Sequence, residues 1–453
     1  MAQERPAPLP STNSSYGYTA APSDDYVATN ANAAEADSSD LAQRLADVEK
    51  TLKKYEDKAK ADKEKAASAM TVTPGGRIQI DTANFDQNAI DSVRANEKNG
   101  TEFRTARLAL YGGGFNVIKY QIEYDLAVTN TSSSYYAKCK DTYIQITDLP
   151  LLQNIQIGHF KEPFSLDELT SDNYITFMER NIADDIMAPK RHLGIMAFGN
   201  SELERATYAI GAFNEYDIDG GVVQADNAGG AVTMRGTYLP WYDEATDGRG
   251  LIHTGLAYSY RQAYSNQSTL QFRPESYLAV NNKYNSTGIL NNVDYRNEIC
   301  AETAMVYGPF SVQSEYYVNY IDRTGSYADC KVQGAYAYVS YFLTGENRPY
   351  DRKRGVFGRV KPIENFFRVR GEDGNAYTGK GAWELKYRYS WMDAFDDGKL
   401  GFDTAHDQTV GLNWYLNPYT RMMFEYVRSD INQNTGLGNG ELNIFQARAQ
   451  IDF

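Results

Sequence analysis

Nowhere in its 453 residues does this chain carry an apolar run near the ~18 residues a membrane-spanning helix needs, and its mean hydropathy is −0.56. An α-helical membrane protein is thereby excluded. Cysteine is scarce: Cys139, Cys300 and Cys330 are too few and too scattered for a disulfide framework or a zinc site, and an odd number leaves at least one thiol unpaired. Histidine occurs only 4 times. Because no motif brings together a nucleophile, a base and an orienting acid, enzymatic activity is not expected, and neither is a metal or cofactor. Positive charge is also in deficit, with 45 Lys and Arg against 59 Asp and Glu for a net −14, which argues against a nucleic-acid partner. Met1 is not followed by an apolar leader, so an exported form is expected to have had its signal peptide removed.

Aromatics, by contrast, are abundant. They make up 13% of the chain and Tyr alone numbers 36, a surplus suited to the interfacial girdles of a barrel. The last nine residues alternate, with Phe445, Ala447, Ala449, Ile451 and Phe453 on one face and Gln446, Arg448, Gln450 and Asp452 on the other. Such a strand has one oily and one wet side. The same rhythm runs through Phe115 to Ala127, Gly381 to Ser390, Thr409 to Leu416 and Arg421 to Tyr426. Burying the polar face of each in a dry core would be prohibitive. An antiparallel transmembrane β-barrel, apolar toward lipid and polar toward a lumen, accommodates both faces.

The chain divides into three parts. Residues 1–39, rich in Pro, Ala, Ser, Asn and Thr, read as a flexible arm. Within 40–70, Asp40 and Gln43 form a capping-box-like start, and Leu41, Leu45, Val48, Leu52, Tyr55 and Ala59 follow a 4-3-4-3-4 spacing, the seam of a short periplasmic coiled-coil helix. Residues 71–453 are the barrel. Strands are expected at 75–86, 102–112, 115–127, 139–147, 153–161, 192–199, 205–214, 231–239, 250–262, 295–307, 310–322, 331–344, 381–392, 405–417, 419–430 and 441–453. Gly112-Gly113-Gly114, Gly308-Pro309 and Asn417-Pro418 are read as tight periplasmic turns. Sixteen strands leave both barrel ends on the periplasmic side.

Two sequence mimics are set aside. Gly374, Gly379 and Lys380 imitate a phosphate-binding loop, but Gly381 stands where Ser or Thr is required and a strand follows. Asp217, Asp219 and Gly220 imitate a calcium loop, but with the wrong spacing and no closing Glu.

By periodicity Arg77, Arg107, Lys119, Lys386, Arg388, Arg421 and Arg448 point into the lumen, as do Asp81, Glu123, Asp125, Glu384, Glu425 and Asp452. Arg104 falls on the lipid-side parity unless a bulge intervenes. Glu162 to Arg191 is long enough to fold inward as a constriction, and it carries Lys161, Arg180, Lys190, Arg191 and His192 at its ends and middle. These basic groups are the candidates for pore lining and anion selectivity. Glu162, Asp167, Glu168, Glu179, Asp184 and Asp185 lie among them and could neutralise them.

Gly158-His159-Phe160-Lys161-Glu162-Pro163-Phe164-Ser165-Leu166, continuing through Tyr174-Ile175-Thr176-Phe177-Met178-Glu179-Arg180-Asn181, resembles the phosphate-selective porin O and P family. Leu343-Thr344-Gly345-Glu346-Asn347-Arg348-Pro349-Tyr350 and Gly355-Val356-Phe357-Gly358-Arg359-Val360-Lys361-Pro362 are similar to its second signature. The resemblance spans roughly 71–453. It implies a homotrimeric, sixteen-stranded outer-membrane channel, in which inward loops narrow each pore and basic residues draw phosphate or pyrophosphate through. Arg180 and Arg348 carry over as motif positions. Where the family often has adjacent arginines after an aromatic, Phe103-Arg104-Thr105-Ala106-Arg107 keeps the first and has Thr105 at the second. The expected function is passive diffusion of small anions. A weakly selective general porin and an envelope-tethering protein, joined to the cell wall by the N-terminal arm, are the competing readings.

Overall fold

The computed structural model describes residues 43–58, 69–87, 99–127, 137–215, 229–263, 267–269, 289–371, 374–393, 404–432 and 440–453. The flexible-arm expectation for 1–39 and the acidic stretch at 217–220 lie outside them. Two compact units are present, Met1–Ala69 and Met70–Phe453. In the first, residues 43–58 form a helix, α1, with Leu45, Val48, Leu52 and Tyr55 all exposed.

The second unit is a closed barrel of sixteen antiparallel strands, each bonded to its sequence neighbours. They are β1 Thr71–Gln87, β2 Gly100–Gly114, β3 Ile118–Asp125, β4 Lys138–Leu149, β5 Gln153–Lys161, β6 Arg191–Asn200, β7 Ala206–Phe213 and β8 Gly230–Tyr242. The series continues with β9 Gly250–Gln262, β10 Val293–Tyr307, β11 Phe310–Arg323, β12 Cys330–Phe342, β13 Ala382–Asp393, β14 Thr404–Asn417, β15 Thr420–Asn432 and β16 Gly440–Asp452. Closure comes from β16 on β1, in a register running from Arg77 opposite Asp452 to Gln87 opposite Leu442. The terminal Phe453 extends the seam, since Gly76 N–H donates to its carbonyl (2.9 Å) and its own N–H donates to Gly76 O (3.0 Å). No unpaired edge remains between first and last strand, as a wall in hydrocarbon requires.

The alternation read from the sequence is the alternation of the wall. Leu385, Tyr387 and Tyr389 are exposed on the outer face of β13, whereas Glu384, Lys386 and Arg388 between them are buried inside. Leu108 and Leu110 face out on β2, and Arg107 and Ala109 face in.

One turn differs from expectation. Gly112 to Gly114 are the end of β2, and the chain reverses at Phe115 to Val117, with Phe115 and Asn116 in the left-handed region (φ 55° and 62°). The glycine at 112 answers to packing instead: a Cβ there would lie 2.2 Å from Thr71 O and 2.3 Å from the Tyr120 ring, whose hydroxyl crosses over to donate to Thr71 O (2.9 Å). Gly374 to Lys380, the phosphate-loop mimic, is part of a small hairpin in which Ala376–Gly379 pairs with Phe367–Arg370.

Two long connections enter the barrel from opposite ends. Residues 162–190 leave the far end of β5 and carry two short helices, α2 Leu166–Leu169 and α3 Ile182–Met187. Residues 343–381 rise from the short-turn end, after β12. Phe164, Phe177, Ile182, Ala183 and Met187 of the first connection pack with Tyr317, Tyr336, Tyr338 and Met392 of the wall. Leu166 joins Val356 and Phe357 of the second against Leu239, Leu251 and Val306. Burial of these large apolar groups, each about 1.5–3 kcal/mol, is what keeps both segments inside.

Candidate functional site: the inward loop and its basic wall

The loop of residues 162–190 is organised by its own caps. Ser165 accepts the Glu168 N–H (3.0 Å) at the start of α2, and Asn181 does the same for Asp184 N–H (2.9 Å) at α3. The two helices are tied together because Ser165 also donates to Asp184 Oδ1 (2.7 Å). Glu315 on β11 accepts the first two amides of α2, from Leu166 (2.7 Å) and Asp167 (2.9 Å), so a wall carboxylate sits against the helix's positive end.

Most of the basic wall grips the middle of this loop. Arg421 donates to the carbonyls of Asp172 (2.9 Å) and Ile175 (2.7 Å), Lys386 to that of Thr176 (2.8 Å), Arg448 to that of Met178 and Arg388 to that of Glu179 (3.0 Å). Five carbonyls between Asp172 and Glu179 are thus held by cations, that of Thr176 with Asn413 as a second donor (2.8 Å), and apolar replacement of Arg388, Arg421 or Arg448 would orphan the carbonyls they hold. Each cation then finds further partners. Lys386 meets Glu425 (2.5 Å) and Asn413 (2.6 Å), while Arg448 meets both oxygens of Asp81 (2.7 Å each). Arg388 lies over the Phe177 ring (4.2 Å) and Arg421 bonds Gln450 (3.0 Å). Glu384 accepts from Asn413 and Tyr415 (2.8 Å each). Lys386, Arg388, Arg421 and Arg448 are therefore buried between wall and loop and do not face an open lumen.

Arg104 reaches the loop by a bulge. On β1 the register steps between Gln79, opposite Thr105, and Ile80, opposite Phe103, leaving Arg104 as the extra residue and re-aiming it inward. Its guanidinium grips Glu179 with Nε on Oε1 (2.9 Å) and Nη2 on Oε2 (3.0 Å). Arg448 adds a third bond to Glu179 at 2.6 Å. Burial opposes the Glu179 charge, but Arg104 and Arg448 outweigh it and hold the carboxyl down at about 2.

The remaining candidates gather along the side of the loop that faces β1 to β6. Arg107 pairs with Asp125 (2.9 Å) and Glu123 (3.0 Å), Arg191 with Asp141 (2.6 Å), Lys161 with Glu168 (3.0 Å) and Lys190 with Glu168 (2.9 Å) and Asp184 (3.2 Å). Arg180 meets Glu168 (3.1 Å) and Asp172 (2.5 Å), and Arg77 meets Asp172 (2.6 Å) and Asn173 (3.0 Å). Lys119 lies on the inner face of β3 and is exposed. Burial disfavours the Glu168 carboxylate, yet Arg180, Lys161 and Lys190 keep its pKa well below the usual range. For Asp184 burial prevails, aided by Glu168 and Asp167, and pushes its pKa up to about 6.

Several inward-facing charged side chains escaped the sequence reading. Arg235 holds Glu302 with two bonds (2.8 and 2.7 Å), with His253 at 3.1 Å, and Arg261 holds Glu162 likewise (2.8 and 3.0 Å). On β8 the signal was present, since Thr233, Arg235 and Thr237 alternate with Val232, Met234 and Tyr238. Arg359, whose guanidinium lies over Tyr174 (5.0 Å) and Tyr419 (4.8 Å), sits in an irregular segment where no period could have flagged it. Arg348, a motif position, bonds Gln313 (2.8 Å) and stacks on Phe357 (3.7 Å).

Comparison with known proteins agrees with this geometry. The model of the family described as phosphate-selective porin O and P matches residues 72–453. Porin O of Pseudomonas aeruginosa is 28% identical over 405 residues, 81% of this chain and 85% of that protein. Among solved structures, an anion-selective porin from Comamonas acidovorans superposes with a TM-score of 0.51 at 14% identity, covering 85% of this chain and 100% of that one. OmpT of Vibrio cholerae in its trimer form gives 0.51 at 10% identity over 85% of this chain and all of its own. At those identities the two structures speak to the fold, a porin barrel. With strands that cross a bilayer, a basic wall gripping an inward loop and a family match over most of its length, this outer-membrane chain belongs to the phosphate-selective porin O and P family.

Proposed function

We propose that the barrel conducts small anions by passive diffusion, with phosphate or pyrophosphate the preferred solute, and that it works as a homotrimer in outer-membrane lipid. The observation that carries the reading is the convergence of Arg77, Arg107 and Arg180 on one carboxylate, Asp172, whose side chain keeps 25% of its exposure. Guanidiniums match the planar oxygen pairs of carboxylate and phosphate, and several at one point offset the cost of stripping water from an anion. Lys161, Lys190 and Arg191, with Lys119 on β3, extend the basic surface along the same side. Transport by a charged passage, not catalysis, is the activity this supports.

Helix α1 supports the oligomer, because an exposed apolar stripe on an isolated helix is stabilised by copies of itself. On this reading the N-terminal arm and α1 stand in the periplasm. The reversal potential of purified protein in planar bilayers, under a potassium chloride gradient, tests the function. Preference for chloride is expected, and preference for potassium would overturn it.

A second reading, a weakly selective general pore, is favoured by one observation: Glu168, Asp141, Glu123 and Asp125 pair with the same cations. It predicts a chloride current that millimolar phosphate leaves unblocked.

A further inference from the structure

Asp172 differs from the other acids of the inward loop. Glu168 and Asp184 are buried by the helices they belong to, with side chains 3% and 0% exposed, and Asp172 stands at the solvent-facing edge at 25%. Three guanidiniums nevertheless close on it. Arg77 Nη2 lies 2.6 Å and Arg107 Nη2 3.6 Å from Oδ2, and Arg180 Nη2 lies 2.5 Å from Oδ1. The cations come from two sides, β1 and β2 of the wall and the loop itself.

The spare donor capacity lies on Arg77, since Arg107 also pairs with Glu123 and Asp125 and Arg180 also pairs with Glu168. Arg77 has its ion pair with Asp172 alone among the described residues, and its buried Nε has no hydrogen-bond partner. The Asp172 carboxyl is not needed to moor the loop tip, because Arg421 holds the Asp172 carbonyl (2.9 Å) and Arg77 holds the Asn173 side chain (3.0 Å).

We propose that Asp172 is a tethered competitor, a carboxylate built into the passage that occupies the anion position among Arg77, Arg107 and Arg180, and that a phosphate-type anion binds by displacing it. The proposal rests on the anion-channel reading and adds what sets the residence time. Conduction requires a site that attracts an ion yet releases it. An internal anion does this by returning to the guanidiniums as the solute leaves, so Arg77, whose ion pair is with Asp172, is not left without a counter-charge. The solute is a tetrahedral or planar oxyanion able to take two or more guanidiniums at once, which a halide cannot do in the same geometry.

The test compares the full-length protein with Asp172→Asn, and with Asp172→Ser should the amide impair folding, in planar bilayers at pH 7. Inorganic phosphate is titrated against the chloride current. Removing a fixed like charge at contact distance in a partly wet site is expected to lower the half-blocking phosphate concentration roughly tenfold, and adding Arg77→Gln to the Asp172→Asn protein should reverse most of that gain. Equal half-blocking concentrations in wild type and variant would overturn the proposal. So would a rise in open-channel noise with phosphate block unchanged, the signature of Asp172 as a mere loop pin. A potassium-selective wild type sinks the anion-channel reading itself, whereas a chloride-selective wild type with block unmoved by the substitution sinks the competitor alone.

Discussion

Arg104 and Glu179 form a two-pronged ion pair, 2.9 and 3.0 Å, between a bulge in the wall and the turn of the inward loop that precedes Arg180. Both halves break the regular pattern: Arg104 is the β2 residue the β1–β2 ladder skips, and Glu179 belongs to a bend. The pair fastens loop to barrel at a point where no ladder bond does so. Arg104→Ala should therefore leave the barrel folded but loosen the loop there, where Arg448 and Arg388 still hold Glu179, and single-channel records should show new flickering between conductance levels. A steady trace identical to wild type would remove the mooring role.

The same carboxylate makes a prediction for pH. Glu179 is held at about 2, below its ordinary 4.5. A lowered carboxyl pKa contributes stability that is fully present above the ordinary value and is lost as pH falls through the lowered one, here about 3 kcal/mol at most. The flicker described for Arg104→Ala should thus be absent in wild type at pH 4 and appear only as the pH nears 2. In Arg104→Ala, where Arg448 is left to hold the carboxylate alone, flicker should intensify at higher pH than in wild type.

Lys386 is buried with Glu425 at 2.5 Å. Glu425→Gln strands that ammonium with Asn413 and the Thr176 carbonyl alone, which typically costs about 3–5 kcal/mol. The temperature at which the folded barrel loses its compact mobility on a denaturing gel should fall well below that of wild type. Adding Lys386→Met should restore much of the loss, since replacing both partners removes the uncompensated charge.

Helix α1 exposes Leu45, Val48, Leu52 and Tyr55. If these residues join copies of the chain, Leu45→Asp with Leu52→Asp should weaken the oligomer in light scattering while leaving single-barrel conductance intact. An unchanged mass would assign assembly to the barrel wall.

How much was legible follows from periodicity. Strands such as β13 and β16 declare themselves, because a two-residue rhythm must place Leu385 and Tyr387 against one medium and Lys386 and Arg388 against another. That rhythm gives a direction and no depth. It cannot tell that Lys386, Arg388, Arg421 and Arg448 end against loop carbonyls, since the loop comes from more than two hundred residues earlier in the chain. Arg104 was ambiguous for a related reason: one extra residue reverses parity, and nothing local in Phe103-Arg104-Thr105 announces the bulge. Arg359 and Arg348 lie in segments without a repeat, and only motif resemblance drew attention to Arg348.

Leu166, descending from one mouth, and Phe357, rising from the other, share an apolar cluster with wall residues from β8, β9 and β10. The barrel is in effect cross-braced near its short-turn rim, where Leu239, Leu251 and Val306 stand at the ends of their strands, like a drum with an internal strut. A strut fixed at both heads resists the wholesale swing of either segment, so the bore is a permanent dimension of the fold, and adjustment to a passing solute is confined to individual side chains along the unbraced side.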